Sequence, residues 1–528
     1  MEPNKIFHEW VHEKLHLFLL ILLLSAICLA NGVVGAGSTY MVGSLSAIPA
    51  DITMASYSYA IGLVCGIPMV LSLKQHYSSK IILISVFSCL VVANVALGTT
   101  DQPLMLVMIS FVTGFLKIVG LLEILATLLP ILMPKGERHR LYGVYYPVSL
   151  IIAQLTAIVF VWLANTFNWQ ISQLFLNIPL FFALLIIIFL VHPNFPGKRV
   201  TLVNFDWFGL VFAVIFMLLL NYVLTYGQVK DWFVSRDISV AAIFCLISLL
   251  LVVARTFIVD KPFLDLSIFK YPNVSIGLAM MFILGIFFGA GNLQTAMISI
   301  IVKNDPIEST KISLYMIPGY IVAAILGYLY YTRFQDFRII IIATVTCYTI
   351  SFIQLYFLTT TQTTSADFFA PLFFRGIAIL LSYMAIGIYV ANGIPFLQFF
   401  SVVFYYLTIR QFIGPVIFSS FFSNFFYHRT IRNINLLASK LDLANNYQQD
   451  RYKPIYNNAI KSGLGSEGAV NSSIKSMYSA IQTQASLLAI KEAFGLIIIV
   501  GLLLILCLIL SKFIWVKDKT DSTGFVIP

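Results

Sequence analysis

Two charged residues, Lys117 and Glu123, lie inside the apolar stretch 103–133, which is long enough to cross a lipid bilayer. A charged side chain at membrane depth costs about 2.5–3.5 kcal/mol on insertion scales unless it faces a cavity or a partner. Glu123 is the only acid that the sequence places deep within an apolar stretch. It is therefore the first candidate for a proton-carrying carboxylate, and a buried ion pair or hydrogen bond that fixes helix packing is the structural alternative.

The spacing of these two residues indicates that they do not pair with each other. Six positions along a helix correspond to a rotation of about 240°, so Lys117 and Glu123 cannot stack as an i,i+4 pair. We expect each of them to find its own partner on another helix.

Other apolar stretches carry further polar side chains. Arg375 and Arg410 add two deep cations against one deep acid, and this surplus would also suit an anionic substrate. We take Lys117, Arg375 and Arg410 as candidates for charge balance or gating. Polar residues that suit the few polar contacts of a mostly apolar substrate cavity are Asn31, Tyr57, Tyr59, Gln154, Asn292 and Gln294. A hydrogen bond between two helices is the simpler explanation of each one taken singly.

These side chains belong to a chain that is apolar almost throughout. Of its 528 residues, 60% are hydrophobic and 10% are charged, whereas soluble domains carry about 25% charged residues. Apolar stretches of about 20 residues recur from end to end, which predicts an all-α polytopic membrane protein. We predict about fourteen spanning helices, the first of them kinked on its way to Pro49, near residues 16–38, 53–73, 81–99, 103–133, 144–164, 172–191, 207–226, 238–258, 274–302, 312–331, 339–358, 369–391, 397–422 and 490–515.

The composition also excludes several classes of function. The net charge is +10, but the Lys and Arg residues alternate between loops, as the positive-inside rule predicts, so we expect no nucleic-acid partner. The six Cys lie in apolar stretches without paired spacing, and the seven His lie outside or at the ends of the spans. This pattern predicts no metal site, no cofactor and no enzyme. A transport-dead sensor or scaffold is an alternative, although such a protein would be expected to carry large soluble signalling domains.

The charge distribution also predicts the topology. An even number of spans and the more basic loops on the terminal side place both termini in the cytoplasm. Residues 423–488 then lie outside, and their helical patterns on either side of the turn-like segment 462–465 predict a short amphipathic hairpin. A plain linker is the alternative. The first apolar stretch is expected to be a retained helix rather than a cleaved signal.

Several stretches carry motif-like residues: Asn168-Trp169 with Phe175, Asn177 and Pro179; Asp206-Trp207-Phe208-Gly209; Lys261-Pro262-Phe263-Leu264-Asp265-Leu266; Arg375-Gly376; Arg410-Gln411 with Gly414; and Gln484-Ala485 with Phe494. Together they resemble the fourteen-helix drug:proton antiporters of the major facilitator superfamily, the EmrB/QacA type. The resemblance covers most of the chain, and the last third is its most specific part. It implies the major facilitator fold and secondary transport.

The chain departs from the family pattern at its charged motifs. Gln75 stands where the loop after the second helix normally has Asp, and Ser110 stands where the fourth helix normally has Arg. Tyr40 occupies the position of an Asp in the first helix of many relatives, which makes it another cavity candidate. Proton antiport therefore cannot be carried over through the usual residues. Lys117, one heptad after Ser110, and Glu123 could replace the missing Arg and Asp.

The resemblance and the residues together predict an exporter of amphipathic small molecules in the inner membrane, coupled to protons and working by alternating access. We predict a six-helix half at 1–192, an inserted helix pair at 193–260 and a second half at 261–528. Its expected partners are the small amphipathic substrate, protons and the lipid bilayer, and the outer hairpin could dock a periplasmic adaptor. A transporter of a lipid or an anionic metabolite on the same scaffold, without proton coupling, is the alternative.

Overall fold

The computed structural model describes residues 7–32, 34–132, 138–193, 206–259, 263, 265–334, 336–439 and 446–511. Almost all of this part of the chain is helical, and the one β contact within it is an isolated bridge between Phe7 and Val191. The α-helices are α1 (Glu13–Leu29), α2 (Ser38–Leu45), α3 (Pro49–Cys65), α4 (Ile67–His76), α5 (Ser79–Thr99), α6 (Pro103–Leu132), α7 (Arg138–Thr166), α8 (Trp169–Phe175), α9 (Asn177–Leu190), α10 (Trp207–Tyr226), α11 (Arg236–Ile258), α12 (Pro272–Gly289), α13 (Gly291–Ile301), α14 (Pro306–Ser313), α15 (Met316–Arg333), α16 (Phe337–Leu358), α17 (Phe369–Ala391), α18 (Phe396–Thr408), α19 (Gly414–Ala438), α20 (Asn446–Lys461) and α21 (Ser466–Leu510).

The predicted spans correspond to helices. In the described ranges, thirteen helical stretches are long and apolar enough to cross a membrane, and Lys14–Leu29 is a shorter apolar helix at the position of the first predicted span. The chain breaks after α1 and continues through a 3-10 turn, Gly35–Gly37, into α2, as the predicted kink requires. Gly32 lies at this break with φ +63°, a backbone conformation that side chains with a Cβ rarely adopt.

Acidic side chains cap several helices where the chain enters an apolar stretch. Asp206, Asp305 and Asp336 each accept a hydrogen bond from a backbone N–H in the first turn of α10, α14 and α16, respectively. A capping carboxylate satisfies N–H groups that have no partner within the helix. These three acids therefore stabilise helix ends, and their positions at the ends of predicted spans agree with this role.

Two large clusters of buried apolar side chains form the core. One cluster is built mainly from α1 to α11, and the other mainly from α12 to α21. We call α1–α9 the first half, α10–α11 the inserted pair and α12–α21 the second half. Tyr146 of α7 packs in the cluster of the second half, whereas Phe404 and Phe412 pack in that of the first. These exchanges mark the interface between the halves, where α7 contacts α15 and α17, and α3 contacts α18. The predicted domain boundaries stay a prediction.

In its described residues, the segment 423–488 extends the neighbouring spanning helices and does not form a separate hairpin. Helix α19 continues to Ala438, and α21 begins at Ser466 and runs without a break into the last span. Between them, α20 packs against α21, and the predicted turn is present at Gly463, whose φ is +90°. No glycine or proline interrupts the end of α19, so a spanning helix extends beyond the apolar region. Arg429 and Asn433 of α19 both contact Glu492 of α21.

Candidate functional site

The Lys117 ammonium group binds the break after α1. Its Nζ donates hydrogen bonds to Asn31 Oδ1 at 2.6 Å and to the main-chain oxygen of Cys28 at 3.2 Å. It also lies 5.5 Å from the centre of the Tyr59 ring. The side chain is buried, and these contacts supply acceptors for a cation in an apolar environment. The structure thus brings together two predicted residues, Lys117 and Asn31.

Two glycines let α3 and α6 approach closely enough for these contacts. A Cβ at Gly114 would lie 2.0 Å from the main-chain oxygen of Tyr59, and a Cβ at Gly62 would lie 2.0 Å from that of Phe111. Both distances are far below van der Waals contact, so only glycine fits at either position. Small residues that allow backbones to approach are typical of contacts between membrane helices.

A second set of amides lies on the other side of the same break. Gln173 Nε2 donates to the main-chain oxygen of Gly32 at 3.4 Å and to Asn94 Oδ1 at 3.2 Å. Both side chains are buried. The sequence analysis missed this pair, although each is a polar residue in an apolar run.

Glu123 pairs with a different helix from Lys117, as its spacing predicts. Its Oε1 lies 3.5 Å from Lys74 Nζ of α4, and Glu123 is buried, whereas 29% of the Lys74 side chain is exposed. Neither carboxylate oxygen has a hydrogen-bond partner among the described residues. The carboxylate is therefore held by one long ion pair whose cation reaches toward solvent.

Arg375 occupies a comparable position in the second half. It is buried in α17 and donates from Nη1 to Gln294 Oε1, and from Nη2 to the main-chain oxygen of Phe287 at 3.4 Å. Gln294 and Phe287 lie on either side of the break between α12 and α13. A Cβ at Gly291 would lie 2.9 Å from Nη2, so the guanidinium fills the space that this glycine leaves.

Arg410 lies among tyrosine rings. It belongs to a π-helical turn, Ile409–Ile413, between α18 and α19. Its guanidinium carbon lies 5.2 Å from the ring centre of Tyr146, 4.2 Å from that of Tyr383 and 5.4 Å from that of Tyr406. The side chain is 5% exposed. These rings come from α7, α17 and α18, so the cluster joins the two halves.

The remaining candidates divide between the interface and the periphery. Asn292 Nδ2 of α13 donates a hydrogen bond to Ser419 Oγ of α19 at 2.5 Å. The Tyr57 ring of α3 lies 6.4 Å from that of Phe412 in the π-helical turn of the second half. Gln154 lies on α7, which packs against α15 and α17. Tyr40 instead donates to Asn165 Oδ1 at 3.1 Å, near the end of α7. The side chain of Gln75 is outside the described part.

Comparisons with known proteins give the relatives of this chain. No protein-family model matches it. It is 26% identical over 255 residues to the colistin resistance protein EmrB of Acinetobacter baumannii, covering 47% of this chain and 48% of that protein. It is 22% identical over 362 residues to the multidrug export protein EmrB of Haemophilus influenzae, covering 67% of this chain and 69% of that protein. The first match therefore spans about half the length of the relative.

Solved structures show the same architecture. A mutant of the nucleoside transporter NupG superposes with a TM-score of 0.55 at 10% identity, covering 93% of this chain and 98% of that one. Tetrameric PepTSo2 superposes with a TM-score of 0.54 at 10% identity, covering 94% and 98%. The chain has the major facilitator fold. The predicted all-α polytopic fold and the predicted resemblance to EmrB-type proteins are confirmed.

In the major facilitator fold, substrate sites lie near the membrane midplane between the two halves. Arg410 and Tyr57 contact residues of the opposite half, and Gln154 lies on α7, which packs against the second half. The contacts of Lys117 and Arg375 described above lie within one half each. The tyrosines around Arg410 were missed by the sequence analysis. The i,i+3,i+4 spacing of Tyr142, Tyr145 and Tyr146 places these three on one helix face, and this pattern could have indicated them.

Proposed function

We propose that this protein is a secondary exporter of amphipathic small molecules that works by alternating access in exchange for protons. The fold and the similarity to two proteins named for multidrug export and colistin resistance support this function. The observation that carries it is the set of polar side chains at the interface between the halves. Buried polar groups at such an interface suit a mostly apolar pocket with a few orienting contacts.

Alternating access requires contacts between the halves that can break and re-form. The Arg410 guanidinium of the second half lies over the ring of Tyr146 on α7. Arg138, at the start of α7, donates to the main-chain oxygen of Ala391 at the end of α17. Each is a polar contact that water or substrate can replace when the halves rock apart. We therefore assign the interface contacts to gating and the Lys117 and Arg375 contacts to the rigidity of each half.

Proton coupling is assigned to Glu123 with Lys74. An ionised Glu123 holds Lys74 through an ion pair of 3.5 Å. A proton on Glu123 removes this attraction and leaves Lys74 free to turn toward solvent, which loosens α4 from α6. Protonation at a buried charge pair that biases two packings is a general form of switch. The coupling thus uses residues outside the usual family motifs.

We expect the protein to lie in the cytoplasmic membrane with both termini in the cytoplasm and to have no enzymatic activity. The outer ends of α19 and α21, together with α20, form the surface on which a periplasmic adaptor would dock. Small amphipathic substrates and protons are its expected ligands.

The test is proton movement in proteoliposomes that carry a pH gradient and are challenged with cationic, neutral and anionic amphiphiles. We expect substrate to collapse the gradient with the wild type and not with Glu123→Gln. Glu308→Gln is the matched control, because Glu308 also forms an ion pair of 3.5 Å, with Lys311, but on an exposed part of the surface. Collapse with Glu123→Gln equal to that of the wild type would place Glu123 in packing alone.

A second candidate function is transport of a lipid or an anionic metabolite without proton coupling. The cationic surplus at membrane depth favours it, since Arg410 has no ion pair with a carboxylate among the described residues. Uptake or export of an anionic amphiphile without any change of the pH gradient would support this function and exclude antiport.

A further inference from the structure

Arg410 lies in a segment whose backbone is not a regular α-helix. The π-helical turn Ile409–Ile413 interrupts the helix that begins with α18 and continues as α19. Single π turns inside α-helices cost stability and occur frequently at functional sites. Arg410 is thus presented by the one π-helical turn in the described part of the chain.

The guanidinium has hydrogen-bonding capacity that its surroundings leave unused. Arg410 Nε and Nη1 are buried and have no hydrogen-bond partner among the described residues. Lys117 and Arg375, the other two deep cations, differ in this respect, because each donates to a side-chain amide oxygen and a main-chain carbonyl. A buried N–H without an acceptor costs about 1–3 kcal/mol, and more when it is charged. Beyond its contacts with the tyrosine rings, Arg410 therefore has two N–H groups, on Nε and Nη1, without an acceptor in the described part of the chain.

The hydroxyls of two tyrosines around Arg410 lie against a glycine of α17. A Cβ at Gly387 of α17 would lie 3.3 Å from the hydroxyl of Tyr146 and 3.6 Å from that of Tyr406. A glycine at this position thus lets both hydroxyls lie close to α17, where that of Tyr406 donates a long hydrogen bond of 3.3 Å to the main-chain oxygen of Tyr383. The ring of Tyr146 also lies 5.3 Å from that of Tyr142 and 5.0 Å from that of Tyr145, which extends an aromatic wall along α7.

We propose that Arg410 binds the anionic head group of the transported amphiphile, a carboxylate, sulfonate or phosphate, and that the tyrosines hold the apolar body. A guanidinium forms paired hydrogen bonds with such groups, and phenol hydroxyls can donate to the same oxygens. The aromatic rings pack against a flat or apolar body. This inference rests on the proposed export function and assigns it a substrate class. A free anionic amphiphile and the head group of an anionic lipid share this chemistry.

The test is equilibrium binding to the full-length protein in phosphatidylcholine nanodiscs, with three fluorescent probes that share one apolar body. These probes are 1-pyrenebutyrate, its methyl ester and 1-pyrenebutylamine. We expect the wild type to bind the carboxylate at least about tenfold more tightly than the ester, because a hydrogen bond between charged groups contributes that much binding free energy. Arg410→Gln should abolish this preference and leave ester binding within about twofold, while Arg410→Lys should keep part of it. Arg236→Gln, which removes an exposed Arg at the start of α11, is the charge-matched control.

Tyr146→Phe and Tyr406→Phe provide a second measurement that does not depend on the folding of the Arg410 variants. Each keeps its ring and removes one hydroxyl, so carboxylate binding should weaken about threefold or more while ester binding stays unchanged. Nanodiscs with phosphatidylglycerol distinguish the source of the anion. Competition with 1-pyrenebutyrate would show that a lipid head group enters the same site, and its absence would restrict the site to free amphiphiles.

Two results would overturn the inference: a wild type that binds the carboxylate and the ester equally, or an Arg410→Gln variant that weakens both by the same factor. Either can occur while neutral amphiphiles are still exported, in which case the proposed function survives. Conversely, head-group preference that depends on Arg410 without any transport in proteoliposomes would refute export and leave the binding site standing.

Discussion

Gly114→Ala is expected to separate α6 from α3 and to destabilise the first half. The new Cβ would lie 2.0 Å from the main-chain oxygen of Tyr59, about 1.3 Å short of an ordinary C···O contact of roughly 3.3 Å. The opposing atom belongs to the backbone, so one helix has to move. A shift of this size would also lengthen the 2.6 Å bond between Lys117 and Asn31 beyond hydrogen-bond distance.

The expected loss of stability combines these two effects. Forcing an extra carbon into a packed contact costs about 1–3 kcal/mol, and weakening a hydrogen bond to a charged group adds up to about 1.5–3 kcal/mol. We expect Gly114→Ala to lower the free energy of unfolding by about 2–4 kcal/mol, because part of the second effect is relieved by relaxation. The measurement is reversible unfolding in mixed micelles of dodecyl maltoside and sodium dodecyl sulfate, followed by circular dichroism.

Gly143→Ala is the matched control. Gly143 also lies within a spanning helix, but the nearest atom to its Cβ would be Met384 Cε at 3.9 Å. Ala favours a helix over Gly by about 0.8–1.0 kcal/mol, so this variant should be as stable as the wild type or slightly more stable. If Gly114→Ala unfolds with the same free energy as Gly143→Ala, the close approach of α3 and α6 does not hold Lys117 in place.

Two further predictions concern the ion pair of Glu123 with Lys74 and the hydrogen bond of Arg375 with Gln294. A Glu123→Lys, Lys74→Glu double variant exchanges the two charges and should restore much of the stability that either single variant loses, because the ion pair can re-form. Proton coupling should stay absent, because the carboxylate then lies on the partly exposed α4 side. The unfolding assay and the proteoliposome assay measure these separately, and a double variant no more stable than the singles would refute the pairing. Gln294→Leu should lower the free energy of unfolding by about 1–3 kcal/mol, because it leaves Arg375 Nη1 without its side-chain acceptor. Gln294→Glu, which keeps the acceptor, should be close to the wild type, and equal losses in both would show that the hydrogen bond is not the cause.

The spanning helices could be predicted from the sequence because each needs about 20 apolar residues, and this requirement is local. The break after α1 could be predicted for the same reason, since the Gly-rich run 32–37 opposes a continuous helix. The lengths of α19 and α21 could not be predicted in this way, because the apolar stretch shows where the chain leaves the membrane and not where the helix ends. From Ala469 to Phe494, α21 contains no glycine or proline, and the helix continues through this polar stretch into the last span.

The partners of the site residues were harder to predict than their positions. The rotation between Lys117 and Glu123 showed that they need different partners. The partner Lys74 lies just outside the predicted span 53–73, and Asn31 was predicted to line a cavity. Tyr40, predicted from its alignment to an Asp, instead contacts Asn165 near the end of α7. These contacts depend on how far apart the helices lie, which glycine positions such as Gly114 decide. The sequence shows the glycine but not the atom that it faces.

The three deep cations do not serve the same purpose, and the equivalence of the two halves shows why. Lys117 lies on α6, the fourth membrane span of the first half, and Arg375 lies on α17, the fourth span of the second half. Each binds a side-chain amide and a main-chain carbonyl at the break in the first span of its own half.

Both fourth helices also pack through glycines, since a Cβ at Gly376 would lie 2.4 Å from the main-chain oxygen of Met316, much as at Gly114. Two cations that satisfy the same need in two equivalent places support our proposal that both stabilise helix packing. Under this assignment, Glu123 and Arg410 are two described intramembrane charges whose hydrogen-bonding capacity the fold leaves unused, at both carboxylate oxygens and at two N–H groups, respectively. Unsatisfied charges at membrane depth are costly, and a proton and an anionic substrate are the ligands that would satisfy them.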